Sequence, residues 1–173
     1  MSKKRENMAL VESESQLKSQ LTLKSPADEV SDIYWGKCYL FPKIMPQEIR
    51  NVELVKDDCL SVGWQSVGSK RLWTFKDECG SWKDIVEAKA VVDETKSITW
   101  TLVDGKVPKE SYNSLKVVYK FSPNDSGCLA TVTLISVKTN DGVPDPKEYM
   151  DFINKMLYKV DNYLQNTSTR STA

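Results

Sequence analysis

Residues 148–164, Glu148-Tyr149-Met150-Asp151-Phe152-Ile153-Asn154-Lys155-Met156-Leu157-Tyr158-Lys159-Val160-Asp161-Asn162-Tyr163-Leu164, decide the fold. Tyr149, Phe152, Ile153, Met156, Leu157, Val160, Tyr163 and Leu164 recur at three- and four-residue spacing, while Glu148, Asp151, Lys155, Lys159 and Asp161 fall mostly on the other side. That period predicts one amphipathic helix of about 20 residues. The stretch just before it, Asp141-Gly142-Val143-Pro144-Asp145-Pro146, is a break.

Upstream of that break the period is two. Strands are predicted at Ile49–Lys56, Val67–Lys76, Trp82–Val92, Ser97–Val103, Tyr112–Phe121 and Cys128–Lys138, separated by short turn signals such as Asp104-Gly105 and Pro123-Asn124-Asp125-Ser126-Gly127. Short links between successive strands argue for an antiparallel meander. Further upstream, Leu17, Ser19, Leu21 and Leu23 alternate with Lys18, Gln20, Thr22 and Lys24, a half-buried first strand. Ser25 is a candidate N-cap, with Pro26 at the first helical position and Asp28 and Glu29 in the first turn, so a short helix should run to about Trp35. Tyr39-Leu40-Phe41 with Pro42 and Pro46 predicts a second short helix abutting the first.

The expected class is therefore α+β: a curved seven-stranded antiparallel sheet wrapped round a long C-terminal helix, with two short helices. One terminal helix covers only one face of such a sheet, and a sheet that grips it leaves an internal hydrophobic cavity between them. The expected organisation is a disordered extension over 1–14, one domain over 15–165, and a disordered polar tail over 166–173.

Composition removes several chemistries. The 173 residues carry 24 Lys+Arg against 24 Asp+Glu and no histidine. A chain without histidine has no His-based triad, no imidazole base and no imidazole metal ligand. Without a net positive field, capture of nucleic acid by charge alone is not expected. Cys38, Cys59, Cys79 and Cys128 form no C-x-x-C pair, so neither a metal site nor a redox site is expected. The N-terminus has no apolar core of a secretory signal, and no run reaches the roughly 18 apolar residues of a membrane span. The expectation is a cytoplasmic protein, a monomer or weak dimer, without membrane insertion and without a cofactor.

Strand alternation selects the inward residues. Trp73 and Phe75 share a face, as do Trp100 and Leu102, and Leu115, Val117 and Tyr119; these should point toward Phe152, Ile153 and Met156 of the helix. Phe41 from the second short helix joins them. Val86 and Ala88 belong to a face of small residues, which either leaves room for a ligand or accommodates a bulky helix side chain. Polar residues on inward faces are the sharper candidates for chemistry. Arg71 falls on the Trp73 face and Asp84 on the Val86 face; they are either an ion pair at a sheet end or groups that meet a ligand. Tyr112 and Tyr119 are candidate donors to a ligand oxygen.

These segments carry a family resemblance. Ser25-Pro26-Ala27-Asp28, Leu40-Phe41-Pro42-Lys43-Ile44, Trp64 to Ser69, Val91 to Ser97, Val103-Asp104-Gly105, Tyr112-Asn113-Ser114 and Val143-Pro144-Asp145-Pro146 occur in order over about Gln16 to Leu164. The chain thereby resembles the plant major latex proteins of the birch-pollen-allergen, pathogenesis-related superfamily. The resemblance implies the helix-grip, START-like fold and a large apolar cavity. It also implies binding of hydrophobic small molecules such as fatty acids, sterols and plant specialised metabolites of terpenoid or alkaloid type. Some relatives guide cyclisation, isomerisation or condensation of such intermediates, and others are associated with defence. The family's glycine-rich loop departs here: residues 56–68 read Lys56-Asp57-Asp58-Cys59-Leu60-Ser61-Val62-Gly63-Trp64-Gln65-Ser66-Val67-Gly68, with only Gly63 and Gly68 left. A phosphate-cradling role is not expected of it. The leading expectation is a binder of a hydrophobic metabolite. The alternative is a cofactor-independent cyclase or isomerase that folds a reactive intermediate against an aromatic wall.

Overall fold

In the computed structural model, residues 14–55, 63–64, 69–77, 80–91, 97–104 and 112–172 are described, with backbone alone at 77, 80–91, 103–104 and 168–172. Strand β1 (Glu14–Leu23) leads into helix α1 (Ala27–Gly36), a 3-10 turn at Cys38–Leu40 and the short helix α2 (Phe41–Ile44). Six strands follow: β2 (Ile49–Leu54), β3 (Ser69–Asp77), β4 (Gly80–Val91), β5 (Ser97–Asp104), β6 (Tyr112–Asn124) and β7 (Gly127–Lys138). Helix α3 (Lys147–Thr172) closes the chain.

The strands form one sheet in the order β1-β7-β6-β5-β4-β3-β2, every pair antiparallel. Strands β1 and β2 therefore lie at opposite edges, and the helical segment between them must cross from one edge to the other. Helix α1 accordingly touches β5, β6, β7 and α3 on one face of the sheet. Register shifts at Ile49/Asn51, Ile85/Val86 and Tyr112/Ser114 are bulges, which bend strands locally. The core lies between this face and α3: Leu115, Val117, Tyr119 and Phe121 of β6 and Val132 and Leu134 of β7 are buried with Ile153, Met156, Leu157 and Val160 of α3. The Ser19 hydroxyl also donates to Asn154 Oδ1 at 2.9 Å, fixing the helix along β1.

Three expectations are corrected. Ser25 does not cap α1. Pro26 stands at the N-cap without a side-chain cap bond, and its carbonyl accepts from Glu29 and Val30. The Ser25 hydroxyl is buried and donates instead to Asp161 Oδ1 on α3 at 2.6 Å. A buried hydroxyl beside a carboxylate gains a stronger, charge-assisted bond than a neutral cap provides. Helix α3 also runs 26 residues to Thr172, longer than the roughly 20 expected. Residues Asn166–Thr172 contain neither Gly nor Pro to stop a helix, and the Thr167 hydroxyl bonds back to the Tyr163 carbonyl at 2.7 Å. The third correction is Tyr112, placed below.

At the β6–β7 turn, Asn124 Oδ1 accepts from Ser126 N at 3.0 Å, and Gly127 has φ 149°. A Cβ at Gly127 would stand 2.2 Å from the Leu23 carbonyl oxygen, so both backbone angle and space demand glycine where β7 begins beside the end of β1.

Candidate functional site: an aromatic cluster with a buried arginine at its edge

Buried Ala27, Val30, Ser31 and Tyr34 recur at helical spacing along α1, so this helix lays one stripe on the sheet. Tyr34 is fully buried and meets four rings: Phe41 at 5.4 Å between centroids, Trp100 at 5.3 Å, Tyr119 at 4.6 Å and Phe121 at 5.7 Å. Trp73 joins the group through Phe41 at 5.1 Å, Trp100 at 5.3 Å and a stacked Phe75 at 5.8 Å. Trp100 meets Tyr119 edge-on at 5.1 Å, and Phe75 meets Phe152 of α3 edge-on at 5.8 Å. Offset and edge-to-face pairs of this kind contribute beyond the area they bury.

Of the residues assigned to the wall, Phe41, Trp73, Phe75, Trp100, Leu115, Val117, Tyr119, Ile153 and Met156 are buried in one cluster, with Leu102 and Phe152 partly buried against it. Val86 stands opposite Arg71 and Leu102 in the register, and Ala88 opposite Ser69 and Trp100. Asp84 stands opposite Trp73. The side chains of Asp84, Val86 and Ala88 lie outside the described residues, as does most of the altered glycine-rich loop. Tyr112 is not in the cluster: its hydroxyl donates to the Pro144 carbonyl at 2.7 Å, near the Lys138–Asp145 ion pair of 2.6 Å. Tyr112 stands at the start of β6, beyond the bulge at Tyr112/Ser114 that interrupts the alternation of Leu115, Val117 and Tyr119.

Arg71 is fully buried. Its guanidinium donates to the carbonyls of Tyr34 (2.9 Å), Trp35 and Trp64 (2.6 Å), to Ser69 Oγ (3.4 Å) and to Cys38 Sγ (2.7 Å). It lies 5.3 Å from the Trp35 ring centroid and 5.5 Å from that of Trp64. The Tyr34 and Trp35 carbonyls belong to the last turn of α1, where helix carbonyls lack intrahelical partners and cations are favoured. Arg71 thus closes the end of α1 and holds Trp64 against it. The register sets Arg71 across from Val86, and among the described residues its partners are three carbonyls, the Ser69 hydroxyl and the Cys38 sulfur.

Burial pushes the Cys38 thiol up to about 11, Arg71 offsetting part of the rise. Cys38 is therefore a neutral thiol at neutral pH, donating to the Tyr34 carbonyl at 3.2 Å, and is not an activated nucleophile. Burial also raises Tyr34 and Tyr119 well above the ordinary tyrosine value, each with smaller contributions from neighbours including Cys38. Both hydroxyls stay protonated. Because the folded Cys38 value lies above its ordinary 9.0, its stabilising effect is complete below pH 9 and lost as pH rises through about 11. Urea midpoints are expected to fall between pH 9 and 11, with Cys38 contributing on the order of 2 kcal/mol and Cys38→Ser flattening that part of the profile. A midpoint constant over that range would contradict this.

Among the described residues, several buried polar atoms have no hydrogen-bond partner: Tyr34 Oη, Arg71 Nε, Trp73 Nε1, Trp100 Nε1 and Ser136 Oγ. Each buried group left unpaired costs about 1–3 kcal/mol. Tyr34 and this set of indole donors escaped the sequence reading; the 27-30-31-34 spacing was the available signal for Tyr34. Among the described residues, no group of His, Cys, Asp and Glu comes together to hold a metal, and no helix is long and apolar enough to cross a membrane.

A long C-terminal helix lying on a seven-stranded antiparallel sheet, with two short helices between its first two strands, defines a known class. The chain belongs to the pathogenesis-related protein Bet v 1 family, whose pattern matches residues 13–167. Within it, the chain is a relative of the major latex proteins. It is 25% identical over 149 residues to MLP-like protein 328 of Arabidopsis thaliana, covering 84% of this chain and 93% of that protein. It is 28% identical over 146 residues to MLP-like protein 423 of the same plant, covering 84% and 90%. The crystal structure of major latex-like protein 151 from Panax ginseng superposes with a TM-score of 0.76 at 23% identity, over 87% of this chain and 97% of that one. Norcoclaurine synthase from Thalictrum flavum, solved with dopamine and hydroxybenzaldehyde, shares the fold with a TM-score of 0.69 at 13% identity, over 90% and 88%.

Proposed function

We propose that the chain binds a hydrophobic plant specialised metabolite, of terpenoid, sterol, fatty acid or alkaloid type, in an internal cavity between the inner face of the sheet and α3. The observation that carries this reading is the continuous aromatic wall. Tyr34, Trp73, Trp100 and Tyr119 come from α1, β3, β5 and β6, and their rings are in mutual contact. Such a surface suits an apolar ligand, and the methionines beside it, Met150 and Met156, adapt to different shapes. Membership of a family known for hydrophobic ligand binding supports the same reading. The buried thiols of Cys38 and Cys128 are in keeping with a cytoplasmic setting.

A second reading, cyclisation or isomerisation of a reactive intermediate, draws on the fold shared with norcoclaurine synthase and on the protonated Tyr119 hydroxyl. That hydroxyl would polarise a substrate carbonyl while the rings impose the folded geometry. The two readings separate on two variants, assayed with host-plant extract by mass spectrometry of bound and transformed molecules. A binder should lose about tenfold or more in affinity in Trp100→Ala and little in Tyr119→Phe. An enzyme should show a product ratio that changes with time and a rate that falls in Tyr119→Phe. No retained molecule and no transformed product would refute both.

A further inference from the structure

The unpaired atoms of the ring cluster share one sign. Tyr34 Oη–H, Trp73 Nε1–H and Trp100 Nε1–H are hydrogen-bond donors on rings that touch, Trp100 lying 5.3 Å from both Tyr34 and Trp73. Their residues are 0%, 1% and 6% exposed, so bulk water does not reach them. Arg71 Nε, on the same face two residues from Trp73, is a further unpaired donor. Tyr34 Oη and Ser136 Oγ, the latter across from Leu115 on β7, are hydroxyls that can also accept, whereas the two indoles and Arg71 Nε donate only.

Among the described residues no side chain accepts from these donors. Among the described residues the buried carboxylate is Asp161, and it is engaged with Lys24 and Ser25 at the start of α1. Native interiors pair nearly all such groups, and a set of unpaired groups of one kind calls for a complement.

We propose that the cavity selects apolar ligands that carry an acceptor oxygen, a ketone, aldehyde, lactone or ester, over hydrocarbons of the same shape. Tyr34, Trp73 and Trp100 supply the donors. The inference rests on the cavity reading and adds the polarity of its occupant. Rings provide the apolar contact, and the oxygen supplies the acceptor that two indoles and a phenol lack. A hydrocarbon would fill the same volume and leave those donors unpaired, which is how a site built for hydrogen bonding discriminates.

The test uses a matched pair, 2-decalone and decalin, titrated into the full-length 15N-labelled protein. Indole Nε1–H resonances are assigned from Trp73→Phe and Trp100→Phe. The expected result is about tenfold tighter binding of the ketone, with downfield movement of at least one of these two indole signals on adding ketone and not on adding decalin. Tyr34→Phe, which keeps the ring and its contacts, should shrink the ketone preference several-fold. Equal affinity for the two compounds with unmoved indole signals would overturn donor selection while leaving apolar binding intact. Failure of both compounds to bind at millimolar concentration would overturn the cavity reading together with it. The affinity ratio of ketone to hydrocarbon is read on the unaltered protein, so that outcome does not depend on any variant folding.

Discussion

Arg71→Met is expected to lower the unfolding free energy by about 3–5 kcal/mol. Two effects oppose each other at this position. Methionine removes a charge that is costly to bury, which by itself is favourable. It also strips a donor from the carbonyls of Tyr34, Trp35 and Trp64, the first buried and the other two half-buried. Each orphaned carbonyl costs about 1–3 kcal/mol. That of Tyr34 keeps the Cys38 thiol as donor, so the loss falls on those of Trp35 and Trp64. Together with the lost stacking, that loss outweighs the relief of desolvation. The stacking of the guanidinium on Trp35 and Trp64 is lost as well. Arg71→Lys is expected to recover part of the loss, since an ammonium is a point charge and cannot reproduce a planar fork between two rings. Urea denaturation with an unchanged m-value reads both variants. A loss below about 1 kcal/mol in the methionine variant would show that the carbonyls re-pair without the arginine.

The same substitution bears on ligand binding through α1. This helix has ten residues, too few to be stable alone. It is fastened at its end by Arg71 of β3 and at its start by Asp161 of α3 through Ser25. Tyr34, the ring that meets four others, sits between those two fastenings. The position of Tyr34 is therefore set less by helix propensity than by two buried charged groups from distant parts of the chain.

That arrangement explains what could be read in advance. Element order was legible because alternation in 115–121 and helical spacing in 149–164 are local signals that burial imposes directly. The inward placement of Trp73, Trp100 and Tyr119 followed from the same parity. Arg71 was legible as an inward residue, but its partners were not. They are backbone carbonyls, which every residue carries and no sequence advertises. Ser25 read as a helix cap because a local partner is the default, whereas its true partner is 136 positions away. Tyr112 was misplaced because its partner, the Pro144 carbonyl, is a backbone group 32 positions away. The length of α3 past Gln165 was not legible because its last residues carry no apolar stripe to mark a helix.

Asp161→Ala is expected to cost about 3–4 kcal/mol. Asp161 Oδ1 accepts from Ser25 N at 2.9 Å and from the Ser25 hydroxyl at 2.6 Å, and Oδ2 accepts from Lys24 N at 3.1 Å. Two of these donors are backbone N–H groups at the junction of β1 and α1, where the chain has left the sheet ladder and has not yet entered the helix. They have no alternative partner inside that junction, so alanine leaves them unpaired in a buried site. Hydrogen bonds to a charged acceptor are the stronger kind, which places this variant near the top of the usual range. Asp161→Asn keeps one acceptor oxygen and is expected to lose roughly half as much, while Ser25→Ala removes one hydroxyl and should cost about 1–2 kcal/mol. A double-mutant cycle between Ser25 and Asp161 isolates the hydroxyl–carboxylate bond, and a coupling of about 1 kcal/mol or more is expected. Strict additivity would mean that the carboxylate acts on the backbone alone. A fall in Asp161→Ala stability without any change in the near-ultraviolet signal of the aromatic cluster would refute the link between this fastening and Tyr34, since a helix released at its start must shift the rings it carries.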